Sequence, residues 1–372
     1  MHQLIVSPHN GTFLVARPGD RAGMQLPRTM YRQLASIAGS SSLLPDWLLD
    51  GARTVWGLDL AGLPMREAAV VRPETRLGYG RATYEINKGC NFNCEHCYLA
   101  ERKFEGLPWD GKARLLRLLR DAGVLWLQFT GGEPLIDRDF MDAYVLAYRY
   151  GMLIEILTNG SRLHRPEVIG MLRELPPHKV TVSLYGATPA SFDSLTRKKG
   201  AFKLVEKGLM AAREAGVALE LALIVTRHNA HELDAMRALA DRYGTSRTEY
   251  GTISPTYSGT PEPLAAQAPG FLDKSSVFKG CPAGHTFFQV DPHGLATMCK
   301  VGRENPIELM TEGTAGLLRL PGIADAQMLR TGGCGGCQLS GTCRVCRPLA
   351  KAYQEAKAPL NTYCQHGSEE AQ

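Results

Sequence analysis

The sequence predicts an α/β protein whose parallel sheet forms a partial (β/α)6 barrel. Apolar, β-rich runs alternate with amphipathic helical segments from Ala82 to about Pro255, which gives six strands separated by five helices. The run Leu219–Val225 is apolar apart from one glutamate, as is typical of a strand buried on both faces. Right-handed crossovers of this length close such a sheet into a full or partial barrel, and the chemistry of these folds lies at the carboxyl ends of the strands.

Residues 1–80 are expected to form a separate, small α+β module. Two apolar runs flank His9-Asn10-Gly11, a turn signal that predicts a β-hairpin. Helical patterns follow at Pro27–Ser36 and Asp46–Trp56. The module is interpreted either as a unit that recognises a leader peptide by strand addition or as an extension that only completes the packing of the barrel.

The barrel is expected to occupy residues 81–255. Its predicted strands are Thr83–Asn87, Leu125–Phe129, Leu153–Leu157, Val180–Leu184, Leu219–Val225 and Arg247–Ile253. Its predicted helices are Gly111–Asp121, Arg138–Tyr150, Pro166–Glu174, Leu204–Ala215 and Ala230–Tyr243. Residues 256–280, rich in Pro, Gly, Ser, Thr and Ala, are predicted to be a linker or a long active-site loop. Residues 281–372 show little periodicity, so we expect metal rather than a large core to hold them together.

Composition and charge exclude several classes of protein. A chain of 372 residues can bury a substantial core without disulfides. Its net charge of +5 is modest and interspersed, and it indicates neither a nucleic-acid surface nor a membrane surface. The N-terminal residues show no secretory signal, and no apolar stretch approaches the ~20 residues that cross a bilayer. We therefore expect a soluble cytoplasmic protein, in a reducing compartment where clustered cysteines are more often metal ligands than disulfides.

The ten cysteines fall into two groups, and the first group lies just after the first barrel strand. Cys90, Cys94 and Cys97 follow the spacing Cys-x3-Cys-x2-Cys. Three thiolates can hold three irons of a four-iron cluster, which leaves one iron open to a small molecule. The spacing alone also allows a zinc site with His96 as the fourth ligand, or simply buried thiols.

A second motif, Thr130-Gly131-Gly132-Glu133-Pro134, stands at the end of the second strand. Two glycines let a ligand approach the backbone, and a glutamate accepts hydrogen bonds from an ammonium group. Together with the cysteine triplet one βα unit earlier, this motif resembles the signature of the radical S-adenosylmethionine (SAM) superfamily. The resemblance covers residues 82 to about 253 and supports the partial (β/α)6 barrel.

The resemblance implies a [4Fe-4S] cluster on Cys90, Cys94 and Cys97, with SAM bound to the open iron. One electron then cleaves SAM and produces a 5′-deoxyadenosyl radical, which abstracts hydrogen from carbon. The family pattern assigns SAM contacts to Gly131, Gly132, Glu133, Pro134, Ser183, Arg197 and His96. His96 departs from the aromatic residue usual before the third cysteine, and Arg197 is alternatively a solvated surface charge.

The second group of cysteines lies in residues 281–372 and comprises Cys281, Cys299, Cys334, Cys337, Cys343, Cys346 and Cys364. A hairpin turning at Asp291–Gly294 is predicted to bring Cys281 and Cys299 together. Two Cys-x2-Cys pairs suit zinc when they stand alone. After a radical SAM barrel, their order resembles the SPASM domain, which implies two auxiliary iron-sulfur clusters.

Seven cysteines are one short of the eight that two fully thiolate-ligated clusters need. The family pattern implies one complete set on Cys334, Cys337, Cys343 and Cys364. The second set, Cys281, Cys299 and Cys346, then leaves a vacant position. Two residues separate Cys343 from Cys346, where the family more often has three.

Auxiliary clusters suit reactions in which the substrate radical loses an electron, so the resemblance implies oxidation or crosslinking of a ribosomally made peptide. The partners implied are a precursor peptide and an external electron donor of flavodoxin or ferredoxin type. Two alternatives stay open: a radical SAM dehydrogenase of a small carbohydrate or alcohol, and a zinc-stabilised binding or electron-transfer protein without catalysis. Lys300 is a candidate acid/base or carboxylate-binding residue, although a lysine after Cys299 is also consistent with an ordinary surface position.

Overall fold

The computed structural model describes residues 2–99, 101–272, 281–330 and 346–364. The N-terminal module is a four-stranded sheet of order β3-β2-β1-β4 covered by helices. Its elements are β1 (Leu4–His9), β2 (Thr12–Ala16), β3 (Gly23–Leu26), α1 (Arg28–Ser36), α2 (Asp46–Trp56), α3 (Met65–Ala68) and β4 (Ala69–Val71). The hairpin predicted between β1 and β2 is confirmed. Asn10 and Gly11 both have positive φ, 47° and 78°, the geometry that an Asn-Gly turn provides at little cost.

The module has its own apolar core and a second, smaller contact with the barrel. Helices α1 and α2 bury one face each, and Phe13 stacks on Tyr31 inside the module. Ile5 and Ala16 pack instead against Leu125 and Leu153 at the start of two barrel strands. The module therefore lies toward the amino ends of the barrel strands.

The barrel sheet contains the six predicted strands, all parallel and in the order β10-β9-β8-β7-β6-β5. The strands are β5 (Arg81–Asn87), β6 (Trp126–Gly131), β7 (Leu153–Thr158), β8 (Lys179–Leu184), β9 (Leu219–Ile224) and β10 (Ser246–Tyr250). The helices are α4 (Trp109–Asp121), α5 (Phe140–Arg149), α6 (Pro166–Glu174), α7 (Pro189–Thr196), α8 (Ala201–Glu214) and α9 (Leu233–Tyr243).

Two differences from the sequence prediction affect the site. Helix α7 was not predicted, because its eight residues show little amphipathic periodicity; a proline at its first position and the Thr188 side chain begin it. Strand β10 ends at Tyr250 rather than Ile253. At the next residue, a Cβ on Gly251 would lie 2.2 Å from the Phe271 carbonyl oxygen, so the chain leaves the sheet where another loop crosses it.

The barrel is open, and the C-terminal segment extends its sheet beyond β5. Strand β11 (Phe287–Val290) pairs in parallel with β5, and β12 (Leu295–Thr297) and β13 (Ile307–Glu308) follow antiparallel. The predicted hairpin at Asp291–Gly294 is confirmed, with the Asp291 amide donating to the Leu295 carbonyl at 3.0 Å.

The described part of the C-terminal segment also contains the helices α10 (Leu309–Glu312), α11 (Leu320–Arg330) and α12 (Arg347–Glu355). The described part of the predicted linker contains two short 3-10 turns, Glu262–Ala266 and Pro269–Phe271. Of the helices in the described ranges, none has the length and apolar character that crossing a bilayer requires.

Candidate functional site

A cavity of about 350 Å³, here called the central cavity, lies at the carboxyl ends of strands β6–β10. Its volume is within the range of small-molecule sites, roughly 300 to 1,000 Å³. The fold brings most of the residues predicted for the site to its wall: Cys90, Cys94, Cys97, His96, Gly131, Gly132, Ser183 and Lys300 all line it. The central cavity thus joins the cysteine triplet, the Gly-Gly motif and a residue of the C-terminal segment.

The loop that carries the cysteine triplet is held by the unpredicted helix α7. The amides of Asn93 and Glu95 donate to the carbonyls of Thr196 and Leu195, each at 3.0 Å. These carbonyls belong to the last turn of α7, where helix carbonyls have no partner within the helix. Phe92 is buried and meets the Phe192 ring of α7 edge-on. The loop therefore has a fixed outer side on α7 while its thiols face the cavity.

The three thiols are suited to bind a cationic group. Burial raises the pKa of Cys90 to about 11 and that of Cys94 well above its usual value, and the neighbouring thiols of the triplet raise both further. Thiolates in such a place need positive charge beside them, which bound metal supplies. Within the described ranges, no three His, Cys, Asp or Glu side chains converge closely enough to hold a single metal ion. The thiol donors fit an iron-sulfur cluster, whose usual ligands are cysteine thiolates.

The two glycines of the Gly-Gly motif allow the cysteine loop to approach the end of β6. A Cβ added at Gly131 would lie 2.0 Å from the Asn87 carbonyl oxygen, and one at Gly132 would lie 2.1 Å from that of Gly89. The Gly132 amide donates to the Asn87 carbonyl at 2.9 Å. Gly131 also has a φ of 132°, which side chains rarely allow. The motif is therefore required by packing as well as by any ligand.

Glu133 is fully buried and is not among the residues that line the central cavity. Its buried carboxylate accepts hydrogen bonds from the Thr158 hydroxyl and the Asn159 amide, both at 2.6 Å, and from the Leu135 amide at 3.0 Å. Burial raises its pKa to about 7 despite these donors. Glu133 thus supports the turn after β7, whose Thr158 and Asn159 line the cavity. Pro134 is buried beside it, in the 3-10 turn Pro134–Ile136.

Other polar side chains make up the opposite wall of the central cavity. Ser183 lies on β8, and the His96 ring is 5.0 Å from the ring of Tyr185. Burial lowers the pKa of His96 to about 4, so the imidazole is neutral at pH 7. Tyr185 and Asn159 also line the cavity, in the segments that follow β8 and β7.

Arg197 lies outside the central cavity. It ends α7 in the left-handed conformation, with a φ of 51°, and its exposed side chain is 3.8 Å from Glu95. Arg197 thus occupies the exposed position expected of a solvated surface charge, which was the alternative to a contact with SAM.

Lys300 belongs to a group of side chains that joins the C-terminal segment to the barrel. Its ammonium lies 5.4 Å from the centre of the Tyr98 ring; the residue keeps exposed surface, and partial desolvation lowers its pKa. Tyr98 donates to the fully buried Glu85 at 2.8 Å, and Arg303 binds the same carboxylate through two nitrogens at 2.8 and 3.0 Å. Sequence reasoning missed Tyr98, Glu85 and Arg303. A glutamate inside an otherwise apolar strand was the one available signal, because a buried charge needs a partner.

Part of the second cysteine group can be described. Cys299 and Cys281 are near enough to Cys346 to raise its pKa, although burial is the larger cause. Cys346 directly precedes α12, and Cys364 follows the 3-10 turn Leu360–Thr362. The assignment of Cys281, Cys299 and Cys346 to one incomplete set stays a prediction. Cys334, Cys337 and Cys343 lie outside the described residues.

Comparisons with known proteins agree with this geometry. A family model described as the radical SAM superfamily matches residues 84–240. The mycofactocin maturase MftC of Mycobacterium ulcerans (strain Agy99) is 31% identical over 239 residues, which cover 59% of this chain and 63% of that protein. An AdoMet-dependent heme synthase of Nitratidesulfovibrio vulgaris is 28% identical over 177 residues, covering 46% of this chain and 48% of that protein. The chain therefore spans between about half and two thirds of the length of these relatives.

A solved structure extends the likeness of the fold to nearly the whole chain. The crystal structure of Streptococcus suis SuiB bound to the precursor peptide SuiA matches with a TM-score of 0.57 and 13% identity. The match covers 92% of this chain and 93% of that one. The match to the radical SAM superfamily model thus covers residues 84–240, the part of the chain that contains the cysteine triplet and the Gly-Gly motif.

Proposed function

We propose that this chain is a peptide-maturing radical SAM enzyme with three [4Fe-4S] clusters. One observation carries the proposal: the cysteine triplet, the Gly-Gly motif and Lys300 of the C-terminal segment all line the central cavity. A substrate in this cavity would be adjacent both to the SAM-binding cluster and to the segment that we assign to the auxiliary clusters. This placement suits a reaction in which hydrogen abstraction is followed by transfer of an electron.

Different residues of the cavity would bind the iron-sulfur cluster and SAM. Cys90, Cys94 and Cys97 would hold the first cluster, and Gly131 and Gly132 would leave room for SAM beside it. Ser183 and the neutral His96 are polar groups available to the sugar and base of SAM. When bound, this cofactor pair supplies a 5′-deoxyadenosyl radical that removes a hydrogen atom from the substrate. Glu133 would act indirectly, by holding Thr158 and Asn159 at the cavity wall.

The auxiliary clusters form the second part of the proposal. We assign Cys334, Cys337, Cys343 and Cys364 to one cluster and Cys281, Cys299 and Cys346 to the other. The effect of Cys281 and Cys299 on the pKa of Cys346 is consistent with the second set. With three cysteines, that cluster keeps one iron for water, a side chain or a substrate group. Lys300 follows a cysteine of this set and faces the cavity, so it is the candidate acid/base residue.

The substrate is proposed to be a ribosomally made precursor peptide. MftC is named a maturase, and SuiB was solved with its precursor peptide, which supports this substrate class. We assign leader binding to residues 1–80. Among the described residues, β3 pairs only with β2, so its outer edge is available for strand addition. The reaction is proposed to take place in the cytoplasm, with an external flavodoxin or ferredoxin as electron donor.

Anaerobic reconstitution tests the cofactor assignment. We expect about 12 irons per chain, and about 4 irons with bound zinc would contradict the auxiliary clusters. With dithionite and SAM, the protein should release 5′-deoxyadenosine.

Replacing Cys94 with alanine should abolish that release and remove about 4 irons per chain, because the triplet holds the SAM-binding cluster. Activity that survives Cys94→Ala would show that the triplet has another role.

The substrate class requires a separate test. Short reading frames beside the gene supply candidate precursor peptides, and mass spectrometry after reaction should detect a loss of two hydrogens or a crosslink. Turnover of a small carbohydrate or alcohol, with no candidate peptide modified, would favour the alternative dehydrogenase.

A further inference from the structure

One loop beside the cysteine triplet carries an unusual concentration of positive charge. Arg197, Lys198 and Lys199 form the only run of three consecutive basic residues in the chain, although the net charge is only +5. All three side chains are exposed. The run begins directly after α7, the helix whose last carbonyls bind the cysteine loop.

The basic run therefore lies just behind the thiols. Asn93 and Glu95, which lie between the first and third cysteines, contact α7 within two residues of Arg197. The thiols of the same loop line the central cavity on its inner side. The loop itself thus separates this part of the surface from the position assigned to the SAM-binding cluster.

The acidic groups nearby are already engaged. The carboxylate of Glu95 is only 7% exposed and lies 2.8 Å from Arg227 and 2.5 Å from the His228 ring. Asp193 accepts from the Gly200 amide at 2.5 Å and from the Phe202 amide at 3.0 Å. We call the four exposed cations beside this loop the cluster-side basic patch: Arg197, Lys198, Lys199 and Arg227. Arg197 and Arg227 share the single carboxylate of Glu95.

We propose that the cluster-side basic patch docks a small acidic electron-carrier protein of flavodoxin type. Charge complementarity favours this partner, because opposite charges steer transient encounters and raise their rates. In the step that follows docking, the reduced carrier loses one electron and the SAM-binding cluster gains it; no bond forms or breaks. The inference rests on the proposed function and adds to it the place where the electron enters.

Charge reversal at Lys198 and Lys199 tests the patch. Both residues are exposed and outside the central cavity, so Lys198→Glu/Lys199→Glu should fold and bind iron normally. The matched control is Arg32→Glu/Arg149→Glu, which makes the same change of charge at exposed sites on α1 and α5, near the amino ends of the strands.

The first measurement is binding of purified oxidised flavodoxin to the reconstituted protein by calorimetry at low salt. The Lys198/Lys199 variant should bind at least about ten-fold more weakly than the wild type and the control, and added salt should weaken the wild-type complex.

The second measurement is 5′-deoxyadenosine release driven either by reduced flavodoxin or by dithionite. In the variant, the rate of 5′-deoxyadenosine release should fall by about ten-fold or more with flavodoxin. With dithionite, which needs no docking surface, the rate should change by less than about two-fold.

The outcomes separate the two proposals. Unchanged flavodoxin binding, or a loss shared equally with the control variant, would overturn the docking site. An equal loss with flavodoxin and dithionite would also overturn it, because it would indicate damage to the cysteine loop. If the wild type releases no 5′-deoxyadenosine with dithionite, the proposed function itself fails.

Discussion

At the scale of single residues, Glu133 shows how a motif residue can support the residues of a site. Its buried carboxylate receives three hydrogen bonds from the protein, two of them from Thr158 and Asn159, which line the cavity. Such donors stabilise the charged form, yet burial outweighs them and the pKa rises to about 7. The protonation state of Glu133 is therefore coupled to the hydrogen bonds that hold Thr158 and Asn159 at the cavity wall.

The pKa of Glu133 predicts a pH dependence of stability. Its folded value of about 7 exceeds the ordinary 4.5, so between these values the folded state holds a proton that the unfolded state has lost. Stability should fall by about 2 to 3 kcal/mol as the pH rises from 5 to 8, and Glu133→Gln should remove this fall. Urea unfolding without SAM measures both proteins, and equal pH slopes would contradict the assignment.

Gly132 predicts a steric effect on iron binding. An alanine there would place its Cβ about 2 Å from the Gly89 carbonyl oxygen, so the start of the cysteine loop must move. We expect Gly132→Ala to lose about 4 irons per chain. Gly170→Ala is the matched control, because nothing lies within 4 Å of its new methyl group and alanine favours the helix. Full iron content in Gly132→Ala would show that the loop adapts.

At the scale of elements, α7 connects the cysteine loop to the barrel. Its final carbonyls accept the amides of Asn93 and Glu95, and its Phe192 packs between Phe92 and Tyr185. A loop that carries metal ligands needs such support, because the ligands must be held in place before the metal binds. The rigidity of the triplet thus depends on a helix about 100 residues further along the chain.

Truncation of Phe192 should therefore loosen the cysteine loop. Phe192 is fully buried, and Phe192→Ala should lower the free energy of unfolding by about 3 to 5 kcal/mol. Iron of the triplet should also become accessible to a chelator. Phe13→Ala, at a buried site in the N-terminal module, should cost similar stability without releasing iron. Equal rates of iron loss in the two variants would argue against a specific role of α7.

At the scale of the whole molecule, an ion pair joins the C-terminal segment to the barrel. Arg303 comes shortly after Cys299, and it binds Glu85, which is the third residue from the end of β5. The guanidinium also lies 4.2 Å from the centre of the Tyr257 ring. These contacts hold three distant parts of the chain around Tyr98, at the edge of the central cavity.

Breaking this pair should be costly, because it leaves a buried charge without a partner. Arg303→Met is expected to destabilise the protein by about 3 to 5 kcal/mol, and Glu85→Gln/Arg303→Met should recover part of the loss. Arg237→Met breaks a more exposed pair with Glu249, which solvent screens, and should destabilise the protein much less. Denaturant unfolding of the four proteins measures the difference, and equal costs for the two arginines would contradict the buried role.

The sequence by itself determined the features that depend on residues close together along the chain. Alternating patterns located six strands, Asn10-Gly11 located a tight turn, and the spacing of Cys90, Cys94 and Cys97 located the candidate site. Turn geometry and strand burial are set within a few residues, so local patterns are enough to predict them.

Only the tertiary structure decided which way the charged residues face and which of them meet. Glu133 is buried and hydrogen-bonded within the protein, whereas Arg197 is exposed beside Glu95. Arg303 and Glu85 meet across 218 residues of chain, and a helix of weak periodicity holds the cysteine loop. Burial and ion pairing depend on contacts between parts of the chain that are distant in sequence, and no local pattern specifies those contacts.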